Sequence, residues 1–296
     1  MRFKNAAEAH GHELHYLFRP ELSKIPRYDA LFIRALTDPL NASYVASRMA
    51  ELHGLPVIDD SHSIRVCCDK VNMYRHLQRA GVPIPPTAFL RPAEVTTATA
   101  ERLFAEMGHP LVLKAPHSSF SSHVEKVESP EAFVRTGQRF LHRADRVVVQ
   151  GFVESSFDWR VGVLAGRPLY TCRYLIAAKT FKVQAIVDGH ICYGRVESMP
   201  VAEAPPAVVQ TAIAAARAIG GGLYGVDLKV GTDGQVVVIE VNDNPSINAG
   251  DEDAYAPELY ERIVLHLLDR KPAVNGHARP QHGRPLREPA DAQTRV

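Results

Sequence analysis

Glu240 and Asn242 close a run of four β-branched residues, Val236–Ile239. Such residues favour strands, and residues two apart on a strand face the same side. Glu240 and Asn242 therefore point together at the strand's exit, where Pro245 ends pairing by removing a backbone donor. A carboxylate beside an amide oxygen suits Mg²⁺, which takes a few hard oxygen ligands and fills its octahedron with phosphate and water. Asn242–Asn244 also fit an Asx-rich turn, so these residues alone leave both readings open. Asp227 adds to the first. It sits in the apolar run Gly225–Val230, joined through an Asp233-Gly234 turn to the strand carrying Glu240. A buried carboxylate is costly unless paired or on a metal. Adjacent hairpin strands can gather Asp227, Glu240 and Asn242 into one cluster. The competing placement for Asp227 is an exposed sheet edge.

Cations complete the pattern. Lys114 ends the apolar strand Leu111–Lys114, just before the small polar loop 117–123. There it can set a point charge on a phosphate, with backbone amides covering it; snorkelling from a strand end is the alternative. Lys70 opens a helix, where the dipole disfavours a cation and a bound anion would offset the cost. Lys182 and Gln184, two apart, can share one strand face. Arg160 and Arg173 lie in otherwise apolar strands and need acceptors, for which a substrate carboxylate or phosphate would serve.

The elements that must hold these groups follow from periodicity. The first sixty-odd residues read as helix (3–14), strand (14–18), turn (23–27), strand (28–34), helix (41–53) and strand (55–58). This is the alternation of a small open parallel sheet. It begins on a helix where such units usually begin on a strand, so a missing N-terminal piece, or one on another chain, is expected. Residues 69–80 form a helix, and the proline-rich stretch 82–86 fits a linker. Helices are expected at 99–107, 130–141, 208–219 and 258–268. Strands are expected at 110–115, 124–127, 147–150, 158–164, 168–177, 181–187, 225–230 and 235–241. From about Lys271 the chain is polar and poor in apolar residues, and reads as a disordered tail.

Bulk composition removes several classes. With 296 residues and 46% apolar side chains, the chain can bury a large core in two packed units. A net charge of +1 gives no global field for nucleic acid or a membrane surface. No apolar run reaches the roughly 18 residues of a membrane span, and the N-terminus lacks the apolar region of a signal peptide. Four cysteines without a CxxC, and fourteen scattered histidines, form no metal or disulfide framework, which fits a reducing cytoplasm.

Taken in order, these pieces resemble the ATP-grasp superfamily, and within it the RimK-like carboxylate–amine (glutamate) ligases. The matching stretches are Ile64–Lys70, Ala80–Pro85, the strand to Lys114, Val149–Val153, Asp158–Arg160, Gly225–Asp227 and Glu240–Pro245. Ser246–Asp253 is similar to a subgroup in which an extra N-terminal domain precedes the ligase core. The resemblance covers roughly residues 28–270, and single pieces carry less than their order does.

The resemblance implies an α/β (α+β) ATP-grasp fold: a pre-ATP-grasp domain at 1–68 and a ligase region at 69–270. That region divides into a lid part at about 86–153 and a C-terminal part at about 154–270. It also implies roles. Lys70 and Lys114 would contact nucleotide phosphates. Gln150, Gly151, Phe152 and Val153 would hold adenine, largely through backbone groups, and Asp158, Lys182 and Gln184 would contact nucleotide. Asp227, Glu240 and Asn242 would hold Mg²⁺, or Mn²⁺ in its place. Arg173, with Arg160, would steady the acyl-phosphate or the attacked carbonyl. The partners are ATP, a carboxylate and an amine, small molecule or peptide, and a homo-oligomer is compatible. One departure stands out. Loop 117–123 has no glycine where the family usually carries several. It supports a second reading, a non-catalytic ATP-binding module. A phosphoryl-transfer enzyme with an acceptor other than a carboxylate is the third.

Overall fold

The computed structural model describes residues 1–117, 123–176, 184–187 and 190–269. The N-terminal part runs α1 (Arg2–Ala9), β1 (Leu31–Phe32), α2 (Ala42–Leu52), β2 (Val57–Ile58), α3 (Ser61–Cys67) and α4 (Lys70–Arg79). β1 and β2 pair in parallel, Leu31 opposite Val57. The expected parallel arrangement is therefore present but reduced to two residues per strand. Helices α2, α3 and α4 are each started by a side chain that takes an orphan backbone amide. Asn41 caps α2, Asp60 caps α3, and Asp69 caps α4 by accepting from the Val71 and Asn72 amides.

Three expectations for this part are corrected. Residues 14–18 form no strand; Tyr16 and Phe18 stand exposed there, and no described strand pairs with them. Where a turn is expected at 23–27, a 3-10 helix spans Arg19–Arg27. Helix α3 is additional: its polar Ser61-His62-Ser63 start hides it from periodicity, and Asp60 fixes it through the Ser63 amide and hydroxyl.

The middle of the chain contributes β3 (Thr87–Leu90), α5 (Thr97–Met107), β4 (Leu111–Lys114), β5 (Val124–Val127), α6 (Pro130–Leu141) and β6 (Val147–Gly151). Its strands form an antiparallel sheet in the order β3-β6-β4-β5. Alternate residues of β6 serve two cores. Val147 and Val149 join Leu111, Leu113, Phe133 and Phe140 under α5 and α6, while Val148 faces the other way.

The remainder holds β7 (Phe157–Leu164), β8 (Arg167–Leu175), β9 (Gln184–Val187), β10 (His190–Tyr193), β11 (Val196–Met199), α7 (Pro206–Ile219), β12 (Leu223–Val230), β13 (Val236–Asn242) and α8 (Leu259–Asp269). Five of the strands make one sheet, ordered β11-β8-β7-β12-β13, and β9 pairs with β10 separately. Neither β10 nor β11 is expected from sequence; β11 is half-buried along its length and shows no alternation to read. The β12–β13 hairpin is as expected, with Asp227 opposite Glu240 and Gly225 opposite Asn242. Its turn needs Gly234, which has φ +80 and donates to Gly231 at 2.9 Å.

Cross-strand partners share a face of the sheet, so register sorts the side chains. Trp159, Val161, Val226, Leu228 and Val238 pack with α4 and α7. At one end of the opposite face, Leu164, Tyr170, Cys172 and Leu223 pack with Ile58 and α8. Helix α1 docks on α8, with Phe3 edge-on to Tyr260 at 4.8 Å, and Arg2 pairs with buried Asp253. The rest of that face carries charge. No helix among the described residues is long and apolar enough to cross a membrane.

Candidate functional site

A cavity of ≈ 1260 Å³ opens between the two larger sheets and the N-terminal part. The five-stranded sheet floors it with a ladder of ionised groups. Arg160 on β7 stands opposite Asp227 on β12, and Asp227 opposite Glu240 on β13. The Arg160 guanidinium grips Asp227 at two points, one through Nε and one through Nη2 at 2.8 Å to Oδ2. Lys229 reaches Asp158 Oδ1 at 2.5 Å. From the start of α4, Lys70 reaches across to Glu240 Oε1 at 2.9 Å.

These pairs exist because the groups are desolvated together. Burial works against ionising Glu240, yet Lys70, Lys114 and Arg160 hold its carboxyl below the usual range. Burial raises Asp227, with Arg160 pulling the other way. For Arg160 burial works against the charge, and Asp227 with Tyr174 and Tyr170 together outweigh it. Lys114 is different. Its Nζ donates to the Tyr74 hydroxyl at 2.7 Å rather than to a carboxylate, and Tyr74 donates to the Ile239 carbonyl at 2.6 Å. Burial pushes Lys114 down to about 7; Glu240 opposes this and Lys70 adds to it.

The stretch Gln150–Val153 lines the same cavity. Gln150 is 2% exposed, and its amide donates to Thr87 Oγ1 at 2.8 Å, so its side chain is committed to the fold. Gly151 and Phe152 donate their amides to Pro86 and Pro110. A Cβ on Gly151 would meet the Met107 carbonyl at 2.9 Å, which explains the glycine. The backbone of this stretch is thus held firmly at the cavity wall.

Of the expected site residues, the cavity gathers Lys114, Gln150, Gly151, Phe152, Val153, Asp158, Arg160, Asp227, Glu240 and Asn242. Lys70 joins them through Glu240. Arg173 is the exception. It stands opposite Trp159 and Glu197, on the face covered by α4 and α7. There it pairs with Glu197 at 3.2 Å and lies 5.3 Å over the Phe157 ring. The period of two that puts Arg160 in the cavity puts Arg173 on the other side, and Tyr174 takes the cavity position, 5.0 Å under the Arg160 guanidinium. Lys182 and loop residues 118–122 lie outside the described residues, as does the tail from Lys271; Gln184 opens β9.

The expected metal set fits in part. Asn242 donates its amide nitrogen to Asp227 Oδ2 at 3.1 Å and to the Gly225 carbonyl at 3.3 Å, which turns its oxygen away from both. Glu240 contributes a carboxylate engaged by Lys70 through Oε1. A carboxylate and an amide oxygen are a donor set for Mg²⁺ or Mn²⁺. Both oxygens of Asp227, by contrast, are engaged by Arg160 and Asn242, so Asp227 orients those two groups before it can serve as a third ligand.

Sequence reasoning missed Lys229, Tyr74, Tyr174 and Arg34. Two carried a signal: Lys229 lies two residues from Asp227 on one strand, and Tyr74 four from Lys70 on one helix. Tyr174 and Arg34 carried none, since loops bring their partners from far along the chain: Tyr174 hydrogen-bonds Glu252, and Arg34 bonds Asn244.

Comparison with known proteins agrees with this geometry. Residues 67–247, more than half of the chain, match the profile of the ATP-grasp domain. A probable alpha-L-glutamate ligase of Thioalkalivibrio sulfidiphilus is 26% identical over 284 residues, covering 90% of this chain and 90% of the relative. Among solved structures, a RimK domain ATP-grasp protein from Sphaerobacter thermophilus superposes with a TM-score of 0.68 at 20% identity, over 90% of this chain and 94% of its own. The D-alanine–D-alanine ligase of Bacillus anthracis, complexed with ATP, gives 0.69 at 17% identity, over 90% and 89%. The chain belongs to the ATP-grasp family and has its fold, and it is similar in sequence to the RimK-like glutamate ligases within that family.

Proposed function

We infer that this chain is an ATP-dependent carbon–nitrogen ligase that joins a carboxylate to an amine through an acyl-phosphate. The observation that carries the reading is the ladder Lys70–Glu240, Arg160–Asp227 and Asn242, converging at one strand exit inside a nucleotide-sized cavity. A carboxylate is a poor electrophile, and moving the γ-phosphoryl group of ATP onto it makes a good one. Magnesium, when bound, supplies neutralisation of the transferring phosphoryl charge. Glu240 and Asn242 would hold it. Lys70 and Lys114 set their ammonium groups against phosphate oxygens. Arg160, fixed by Asp227 and stacked on Tyr174, faces the anion that forms when the amine attacks. Gln150–Val153 position the adenine through their backbone, and the Asp158–Lys229 pair closes that side.

Residues 1–68 are the small α/β unit ahead of a ligase region at 69–270, in a cytoplasmic setting. Amino acids, glutamate among them, and peptides are the substrates to try. The non-catalytic alternative rested on loop 117–123 alone, and the relatives reported above are named as ligases. The test is ADP and phosphate release with pairs of amino acids and peptides. Release that requires both an acid and an amine is expected. ATP binding with no release for any pair would restore the non-catalytic reading.

A further inference from the structure

Lys70, Arg160 and Lys229 each meet a carboxylate within ion-pair distance. Arg34, on the cavity wall just after β1, meets none among the described residues. Its Nη1 donates to Asn244 Oδ1 at 2.6 Å, and its guanidinium lies 5.5 Å over the Phe32 ring. Asn244 in turn donates to the Ala35 carbonyl at 2.5 Å, so both ends of that amide are spent in aiming the arginine. Glu252, on the same wall, is already committed to the Tyr174 hydroxyl and the Asn248 amide. Arg34 is thus a cation oriented by neutral partners and open to the cavity. Arg34 is solvent-exposed, and Asp59 and Glu252 act on it only from beyond ion-pair distance. A guanidinium keeps five N–H donors in a planar fork, and only one of them has a described partner here. Ser246 and Asn248 add neutral polar groups to the same wall. A fork of this kind matches a carboxylate two oxygens at a time.

We propose that Arg34 is a specificity-determining residue that binds a spectator carboxylate of the co-substrate, one that takes no part in the bond being made. The proposal rests on the ligase reading above. It narrows the co-substrate to amino acids or peptides with a free carboxylate. Asn244 lies two residues beyond Asn242, so the spectator group is seated next to the strand exit where phosphoryl transfer would occur.

The experiment is calorimetric titration of the full chain, loaded with Mg·ADP, using the free amino acids and their carboxamides; aspartate and glutamate are amidated at each carboxylate in turn. For wild type, at least one acid binds and its amide binds at least about tenfold more weakly, the loss expected for one charge-assisted pair. Arg34→Gln abolishes that preference while Mg·ADP still binds, and Arg34→Lys retains part of it, keeping charge without the fork. The proposal is overturned if no acid outbinds its amide. It is also overturned if Arg34→Gln weakens acid and amide equally, the mark of a strut acting through Asn244, or if inorganic phosphate binds in a manner that Arg34→Gln removes while the acids do not. Failure of the ligase reading looks different: Mg·ADP does not bind, or no pair of substrates releases ADP.

Discussion

At the exit of β13 Lys70, Arg160 and Lys229 reach carboxylates from strand or helix backbone, whereas a few residues further on the cavity wall is loop, and among the described residues Arg34 bonds the neutral Asn244. The first region is neutralised from within: Lys70 against Glu240, Arg160 against Asp227, Lys229 against Asp158. The second keeps a charge uncancelled. A buried ion pair offsets part of its own desolvation, and losing either partner leaves an uncompensated charge, so such pairs are kept together in a rigid sheet. Arg34 is solvent-exposed, so its uncancelled charge is cheap to hold and stays available to an incoming anion. Chemistry common to any substrate fits the first arrangement, and choice among substrates fits the second.

The largest effect should come from breaking the first region. Glu240→Ala removes a proposed metal ligand and the carboxylate that buried Lys70 meets at 2.9 Å. Turnover, read as ADP release, should fall by about 10³-fold or more. Undiminished turnover would refute the assignment of this strand exit. Arg160→Met leaves Asp227 buried without its partner and should lower stability in urea denaturation by about 3–5 kcal/mol. A smaller loss would mean that water or Asn242 compensates.

Lys114 gives a pH signature that distinguishes it from its paired neighbours. Folded, it titrates at about 7, far below a free lysine. Between about 7 and the ordinary lysine value the unfolded chain therefore binds more protons than the folded one, and the contribution of this group to stability rises with pH across that window. Urea denaturation at about pH 7 and about pH 9 should show the rise in wild type and its loss in Lys114→Met; an unchanged slope would place a counter-ion on Lys114.

Tyr74→Phe removes the hydroxyl that links Lys114 to the Ile239 carbonyl, and should cost about 1–3 kcal/mol by leaving buried groups unpaired. The smallest effect is expected for Arg173→Ala. Its pair with Glu197 is partly exposed, so both stability and turnover should change little, by less than about 1 kcal/mol for the former. A collapse of ADP release in this variant would return Arg173 to the catalytic machinery and undo the face assignment.

The same contrast explains what could be read in the sequence. Strand period alone brings Glu240, Asn242 and Asp227 together, and the β12–β13 register agrees. Period could not place Arg173, because two arginines on neighbouring strands carry no information about relative register. Arg160 meets Cys172 rather than Arg173, and a shift of one residue changes the face. The strand expected at 14–18 failed for want of a partner, since an apolar run is not a strand until another edge accepts it. Arg34 was legible only as the end of a short strand. Its role depends on Asn244, 210 positions away, and no local pattern encodes that meeting.

The two faces of β6 carry one further consequence. Val147 and Val149 close a core belonging to the four-stranded sheet, while Val148, with partly buried Phe89, is that sheet's main apolar tie to the larger core around α4 and α7. So narrow a tie couples the two bodies weakly in heat or denaturant, and unfolding should proceed in two calorimetric transitions rather than one. A nucleotide seated against both Gln150–Val153 and the charged floor would be lost when either body melts. Its binding should therefore draw the two transitions together, making the cooperativity of melting a measure of occupancy that needs no knowledge of the substrate.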